Sequence, residues 1–216
     1  MKIVSIVLCA IMDVLQKILS VSAELFRQYG FKTITMDDIA RRAGISKKTL
    51  YQHFVNKQEV VQASIQWYQN FISDECHAVL GSSENAVEGM VRLTQVLGNA
   101  FRQLNPLALL ELQRFFPESH KAFRETLFGK DTAAIRDNIL RGMEEGYYRE
   151  DLNADLLALY RMESCLITLQ PNLMVNERYT AQTVSQEIFE HFLYGIMNVK
   201  GEKLYKKYKE KYLKQL

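Results

Sequence analysis

Residues 35–57 read Thr35-Met36-Asp37-Asp38-Ile39-Ala40-Arg41-Arg42-Ala43-Gly44-Ile45-Ser46-Lys47-Lys48-Thr49-Leu50-Tyr51-Gln52-His53-Phe54-Val55-Asn56-Lys57. Thr35 with Asp38 three residues on is a capping-box pattern that starts a helix. Ile39 and Ala40 point that helix inward. Ala43-Gly44-Ile45 makes a tight turn, because Gly44 can take a positive φ that other residues resist. Ser46 caps a second short helix. Asn56, followed three residues later by Glu59, caps a third that runs to about Leu80. Two short helices about a tight turn form a helix-turn-helix, a shape that places its second helix in the major groove of DNA.

At about 100° per residue, Leu50 and Phe54 share a face and must meet the core together with Ile45. The opposite side holds Lys48, Thr49 and Gln52, flanked by Tyr51 and His53. Lys47 lies near the core stripe in angle, but in the first turn it can reach past the helix end. A lysine can donate to guanine O6 and N7, a glutamine can pair with adenine, and a threonine methyl can touch a thymine methyl. Tyr51 and His53 are expected to reach the phosphate walls. Thr35, at a helix N-terminus, and Lys57, in the first turn of the next helix, are expected to meet phosphates as well.

Charge is distributed to match. Residues 27–57 carry seven Lys/Arg against two Asp, a local charge of +5. Residues 200–216 are also at +5, whereas 58–199 are at −8 with 11 bases and 19 acids. A basic head on an acidic body fits DNA at one end only. The chain of 216 residues, 48% apolar with three prolines, is long enough for a sizeable core and reads as helix-rich. Nothing alternates with period two, so the fold expected is all-α.

Outward from the motif, residues 13–29 repeat apolar side chains at helical spacing and stop at Gly30. Further helices are expected near 84–104, 106–116, 117–146, 153–170 and 181–199, with Gly146 and Pro171 at ends. The division expected is a three-helix DNA-binding head at 12–58 and a larger helical domain at 59–216. Residues 1–11 (MKIVSIVLCAI) hold an apolar run too short to span a bilayer and lack a small-residue cleavage site. They are expected to be an extension or arm ahead of a functional start at Met12. Cys9, Cys76 and Cys165 form no metal or disulfide pattern, and reduced thiols in the cytoplasm are expected. No G-x-S-x-G, phosphate loop or H-E-x-x-H is present, so no catalytic residue, metal or cofactor is assigned and the chain is not expected to be an enzyme.

The second domain carries two unusually apolar helices. Leu156, Leu159, Tyr160 and Leu166 on one, and Ile188, Phe189, Phe192 and Ile196 on the other, exceed what one core face needs. They are expected to form a four-helix interface between two copies of the chain. Met90, Phe101, Leu109, Phe115, Phe116, Phe123, Met143 and Tyr147 are the candidates for lining a cavity for an apolar or amphipathic effector. Glu111, Arg102, Arg114 and His120 are available to orient a polar group on it. The lysine- and tyrosine-rich tail after residue 200 reads as a solvated extension of the last helix.

Ala23, Leu25-Phe26, Gly30-Phe31, Thr33, Ile39-Ala40, Ala43-Gly44-Ile45-Ser46, Leu50-Tyr51, Phe54 and Lys57 resemble the N-terminal signature of the TetR family of bacterial transcriptional regulators. The resemblance covers roughly residues 13–62. It implies an all-helical homodimer that binds a palindromic operator, most often as a repressor, and releases it when a small effector binds. By that resemblance Tyr51, His53, Thr35 and Lys57 become phosphate contacts, and Lys47, Lys48 and Thr49 face the groove. Lys48 stands where the family often has glycine, so base preference does not transfer. The competing expectation is a helical ligand- or protein-binding module whose head no longer reads DNA specifically.

Overall fold

The computed structural model describes residues 2–102, 104–105, 107–168 and 179–213, with side chains from residue 13 onward. Among them the chain is helical and contains no strand, only an isolated bridge between Tyr148 and Met197. No described helix is long and apolar enough to cross a membrane. The chain divides into two compact units. One comprises residues 1–70 and 107–123, the other 71–106 and 124–216. This boundary differs from the division at residue 58. Val60, Val61 and Ser64 are fully buried, so the first turns of the fourth helix belong to the core of the first unit.

In the first unit, α1 (Lys2–Tyr29) includes the backbone of the N-terminal extension. It ends at Gly30, where φ is 85°. α2 (Met36–Ala43) is followed by α3 (Lys47–His53) and the start of α4 (Lys57–Ser82). Gly44 sits between α2 and α3 at φ 64° and ψ 34°, and its N–H returns to Ala40 and Arg41 carbonyls. That left-handed C-cap lets the chain reverse within three residues, and a side chain there would be strained. Ile18, Phe26, Ile39, Ala43, Leu50 and Val61 make the core. α6 (Ala108–Phe115) and the first half of α7 (Pro117–Phe128) complete the unit. Phe116 packs against Phe31, which stacks on Phe26. Glu111 accepts a hydrogen bond from the Lys32 backbone N–H at 3.0 Å.

The second unit holds the rest of α4 and α7 with α5 (Ala86–Phe101), α8 (Lys130–Glu144), α9 (Ala154–Ile167), α10 (Ala181–Ile196) and α11 (Val199–Tyr212). The expected single helix over 117–146 is two, broken at Gly129. Its φ and ψ of −93° and −103° lie outside the helical region, and glycine tolerates the break at least cost. The lysine-rich tail is also not a solvated extension of its predecessor. Met197 ends one helix and Asn198 caps the next, accepting from the Lys200 and Gly201 N–H groups. Tyr205 and Tyr208 then bury against the unit's core. That core centres on Val87, Met90, Ile139, Tyr148, Ala158 and Leu193. A Cβ at Gly142 would fall within the Tyr148 ring, so only glycine lets that buried tyrosine in. The helix end expected at Pro171 lies outside the described residues.

Candidate DNA interface

The second helix of the motif is built by its caps. Ser46 Oγ accepts from Thr49 N–H at 3.0 Å and lies 2.8 Å from the Thr49 hydroxyl. The Phe54 N–H closes the far end on Leu50 O. Leu50 is the only buried residue of α3 and is 0% exposed. It is the peg that holds the helix to the unit, and everything else on α3 is at least partly exposed.

Lys48 and Gln52 are exposed and engage no other side chain among the described residues. Tyr51 is 46% exposed beside them. Thr49 and His53 are half-buried. Lys47 is exposed, but its Nζ pairs with Asp37 at 2.7 Å. That pairing raises its pKa, chiefly through the Asp37 hydrogen bond, and ties the helix start to α2. A groove contact by Lys47 therefore competes with a partner already in place. An ammonium and an amide thus stand unengaged on one surface of a capped helix, with a phenol beside them.

The two predicted phosphate contacts flanking α3 are also partly committed. The Thr35 hydroxyl lies 2.6 Å from Asp38 Oδ2, accepts from Asp38 N–H, and the Thr35 N–H returns to the same carboxylate. These bonds from Thr35 hold the Asp38 carboxyl below its ordinary value, aided by Arg41 and Lys57. Thr35 is exposed, yet its hydroxyl serves the cap first. Lys57 is half-buried, and its Nζ donates to Lys32 O at 3.2 Å. Burial pulls its pKa down, against the opposing pull of Glu111 and Asp38. Glu111, read from sequence as a ligand-orienting acid, instead braces this corner of the first unit.

The residues nominated for an effector cavity are dispersed. Leu109, Phe115, Phe116 and Phe123 belong to the first unit, and Met90, Phe101, Met143 and Tyr147 to the second. Met90 is core, 0% exposed, while Phe115 is 45% exposed. The second unit has an open groove of about 500 Å³ lined by Leu80, Ala133, Ala134, His77, Asp137 and Arg141 among others. None of the nominated residues lines it.

The residues nominated for a dimer interface divide sharply. Leu156, Leu159 and Tyr160 are 62%, 47% and 51% exposed. Leu166, Phe189, Phe192 and Ile196 are enclosed by their own unit, and Ile188 is half-buried. The enclosed four fill the core because α9 packs chiefly on α8 and α10 chiefly on α5. Ile167, not nominated, continues the exposed stripe at 44%. Its spacing from Leu156, Leu159 and Tyr160 follows one helical face. Sequence reasoning also passed over Arg161. The signal was there: one basic residue amid a helix otherwise apolar nearly all round.

The family model for bacterial regulatory proteins of the tetR family matches residues 18–64, the span of the helices just described. The transcriptional repressor KstR2 of Mycobacterium tuberculosis is 25% identical over 183 residues, 83% of this chain and 91% of that protein. A transcriptional regulator from Cytophaga hutchinsonii superposes with a TM-score of 0.65 at 21% identity, covering 85% of this chain and 98% of the other. FadR from Bacillus subtilis, solved in complex with stearoyl-CoA, gives 0.63 at 18% identity, with 84% and 98% covered. The motif, the all-helical architecture and these likenesses agree: over residues 18–64 the chain is similar to bacterial regulatory proteins of the tetR family, and over most of its length to transcriptional regulators of that fold.

Proposed function

We propose that the chain is a ligand-responsive transcriptional repressor, acting in the cytoplasm, that binds a palindromic operator as a homodimer and lets go when a small amphipathic effector binds. The observation that carries this reading is α3 itself. It is capped at both ends, buries only Leu50 of its own residues, and exposes Lys48, Gln52 and Tyr51 on one surface. In the reading, Lys48, Thr49 and Gln52 face base edges. Tyr51, His53, Thr35 and Lys57 hold phosphates. Lys47 joins them when it exchanges Asp37 for DNA. The head is residues 12–58 and the effector and dimer domain 59–216, with residues 1–11 an extension of α1.

One α3 reads too few base pairs for useful specificity, so two copies must present theirs about 34 Å apart, one helical turn of DNA. The exposed stripe Leu156, Leu159, Tyr160 and Ile167 is the apolar surface suited to joining them. Repression and a lipid-like effector are favoured by KstR2, a named repressor, and by FadR with its bound stearoyl-CoA. Footprinting on the DNA upstream of the chain's own gene tests the reading. A two-fold symmetric protected site, weakened steeply by salt, is expected. Absence of salt-sensitive protection there and across genomic fragments would sink it in favour of a binding module without DNA readout.

A further inference from the structure

Arg161 of α9 is among the most deeply enclosed large side chains described, 2% exposed. Its Nη1 donates to Ser164 Oγ at 3.1 Å and to Cys165 Sγ at 2.9 Å. Both acceptors lie one turn along the same helix. The guanidinium carbon sits 4.2 Å from the centroid of the Phe189 ring on α10. Nε is buried and donates to nothing. No carboxylate pairs with Arg161 among the described residues. The Cys76 thiol of α4 lies within reach of its field, and burial drives that thiol up to about 12, so Cys76 supplies no counter-charge.

A guanidinium does not shed its proton in a protein. A buried charge therefore has to be met by an opposite one, and two neutral acceptors and a ring face meet it only in part. The edge that carries the unbonded Nε is also a particular one. Nε and Nη2 point the same way, and that pair of N–H groups holds an oxyanion side-on with two parallel bonds. The Phe189 ring makes one side of the surroundings apolar.

Resting on the effector reading above, we infer that Arg161 anchors the effector, its unbonded Nε and the Nη2 beside it pairing an oxyanion carried on an otherwise apolar molecule. The oxyanion is either a terminal carboxylate, as in a long-chain fatty acid, or a phosphate, as in the corresponding coenzyme A thioester. An uncharged apolar molecule does not satisfy the site.

The test is calorimetric titration of the full chain with palmitate, palmitoyl-CoA and hexadecanol. At least one of the two anions is expected to bind about tenfold or more tightly than the alcohol. Binding of palmitate identifies the carboxylate, and binding of the thioester alone identifies the phosphate. In Arg161→Met the preferred anion should fall to the affinity of hexadecanol, and Arg161→Lys should recover part of the difference. Without ligand, Arg161→Met should melt at the same temperature or higher, because an unmatched buried cation is replaced by an apolar chain of similar length. A lower melting temperature with lost binding would make Arg161 a structural residue and overturn the inference. So would unchanged binding of the anion by Arg161→Met, or failure of the wild type to bind either anion. Wild-type protein that binds palmitate through Arg161 yet keeps its operator would overturn the effector reading and leave Arg161 as an anion-binding site.

Discussion

Helices α3 and α9 are inversions of one another. α3 encloses a leucine and turns lysine, glutamine and tyrosine outward. α9 encloses an arginine and two hydroxyls, Ser164 and Thr168, in or just beyond its last turn, and turns Leu156, Leu159, Tyr160 and Ile167 outward. A surface helix normally does what α3 does. An inverted helix pays twice, once for apolar surface left in water and once for charge taken out of it. Each cost is recovered when something else arrives: a second apolar surface outside, an anion inside. α3 is thus complete before its partner comes, and α9 is not. Structural completeness is what separates a helix that reads a ligand from one that is finished by its ligand.

The largest effect should come from removing the peg of the complete helix. Leu50→Ala leaves α3 no buried side chain, and a core leucine truncation costs about 2–5 kcal/mol. Thermal unfolding monitored by circular dichroism should show that loss, with operator binding abolished. The same substitution class on the inverted helix should behave differently. Leu159→Asp touches no core, so the folded chain should persist, while sedimentation should shift from dimer to monomer at micromolar concentration. A charge at the centre of an apolar interface costs about 2 kcal/mol or more of association. If Leu159→Asp unfolds the chain instead, the outward face of α9 is not a free face. On α3, Lys48→Ala should weaken operator binding by about 1–3 kcal/mol and relax preference at one base position. Equal loss across all sequences would turn Lys48 from a base reader into a phosphate contact.

The same contrast explains what was legible in the sequence. Everything that makes α3 is local. Thr35 with Asp38, Ser46 with Thr49, and Asn56 with Glu59 are pairs three residues apart, and each bond is present in the structure. Gly44 advertises its own φ. In the second unit the deciding partners are remote. Asn138 donates to Ala86 O and accepts from the Tyr148 hydroxyl. Asn198 reaches back to the carbonyls of Gly146 and Tyr148, so the start of α11 is fixed by chain some 50 residues earlier. No spacing rule carries that. Gly129 was illegible for a different reason: a glycine costs a helix only about 1 kcal/mol, too little to decide between a break and a continuation. For α9 the apolar pattern was plain, but which leucines face in and which face out depends on where α8 and α10 pack.

Smaller effects sharpen the comparison at the edges of each unit. Glu88 is 4% exposed. It accepts hydrogen bonds from the Tyr212 hydroxyl of α11 and from the Glu84 N–H at 2.7 Å. Burial by itself would raise its pKa, but the Tyr212 and Glu84 bonds, with Lys211 and Arg92 nearby, leave it lowered. A carboxyl lowered on folding adds stability above its ordinary pKa, and that contribution is lost as pH falls through the folded value. Melting temperature should therefore drop on acidification through that window, and Glu88→Gln should flatten the acid limb. A limb unchanged by the substitution would assign the acid response to other carboxylates.

Lys57 gives the smallest effect and the most discriminating one. It is assigned a phosphate, yet its Nζ already donates to Lys32 O, in a corner where Glu111 takes the Lys32 N–H. The two roles leave different traces. A phosphate contact adds a released counterion, so Lys57→Ala should lower the slope of log affinity against log salt by about one, equally for every sequence. An internal tie adds nothing to that slope and shows only in the melting temperature, by about 1 kcal/mol for one hydrogen bond of this kind. We expect the slope to fall, because the ammonium remains half-exposed and an exchange of a carbonyl for a phosphate strengthens its bond. If the slope holds and the melting temperature drops, Lys57 is a strut of the first unit. The phosphates flanking α3 would then fall to Tyr51 and His53, whose side chains no Lys32–Glu111 corner restrains.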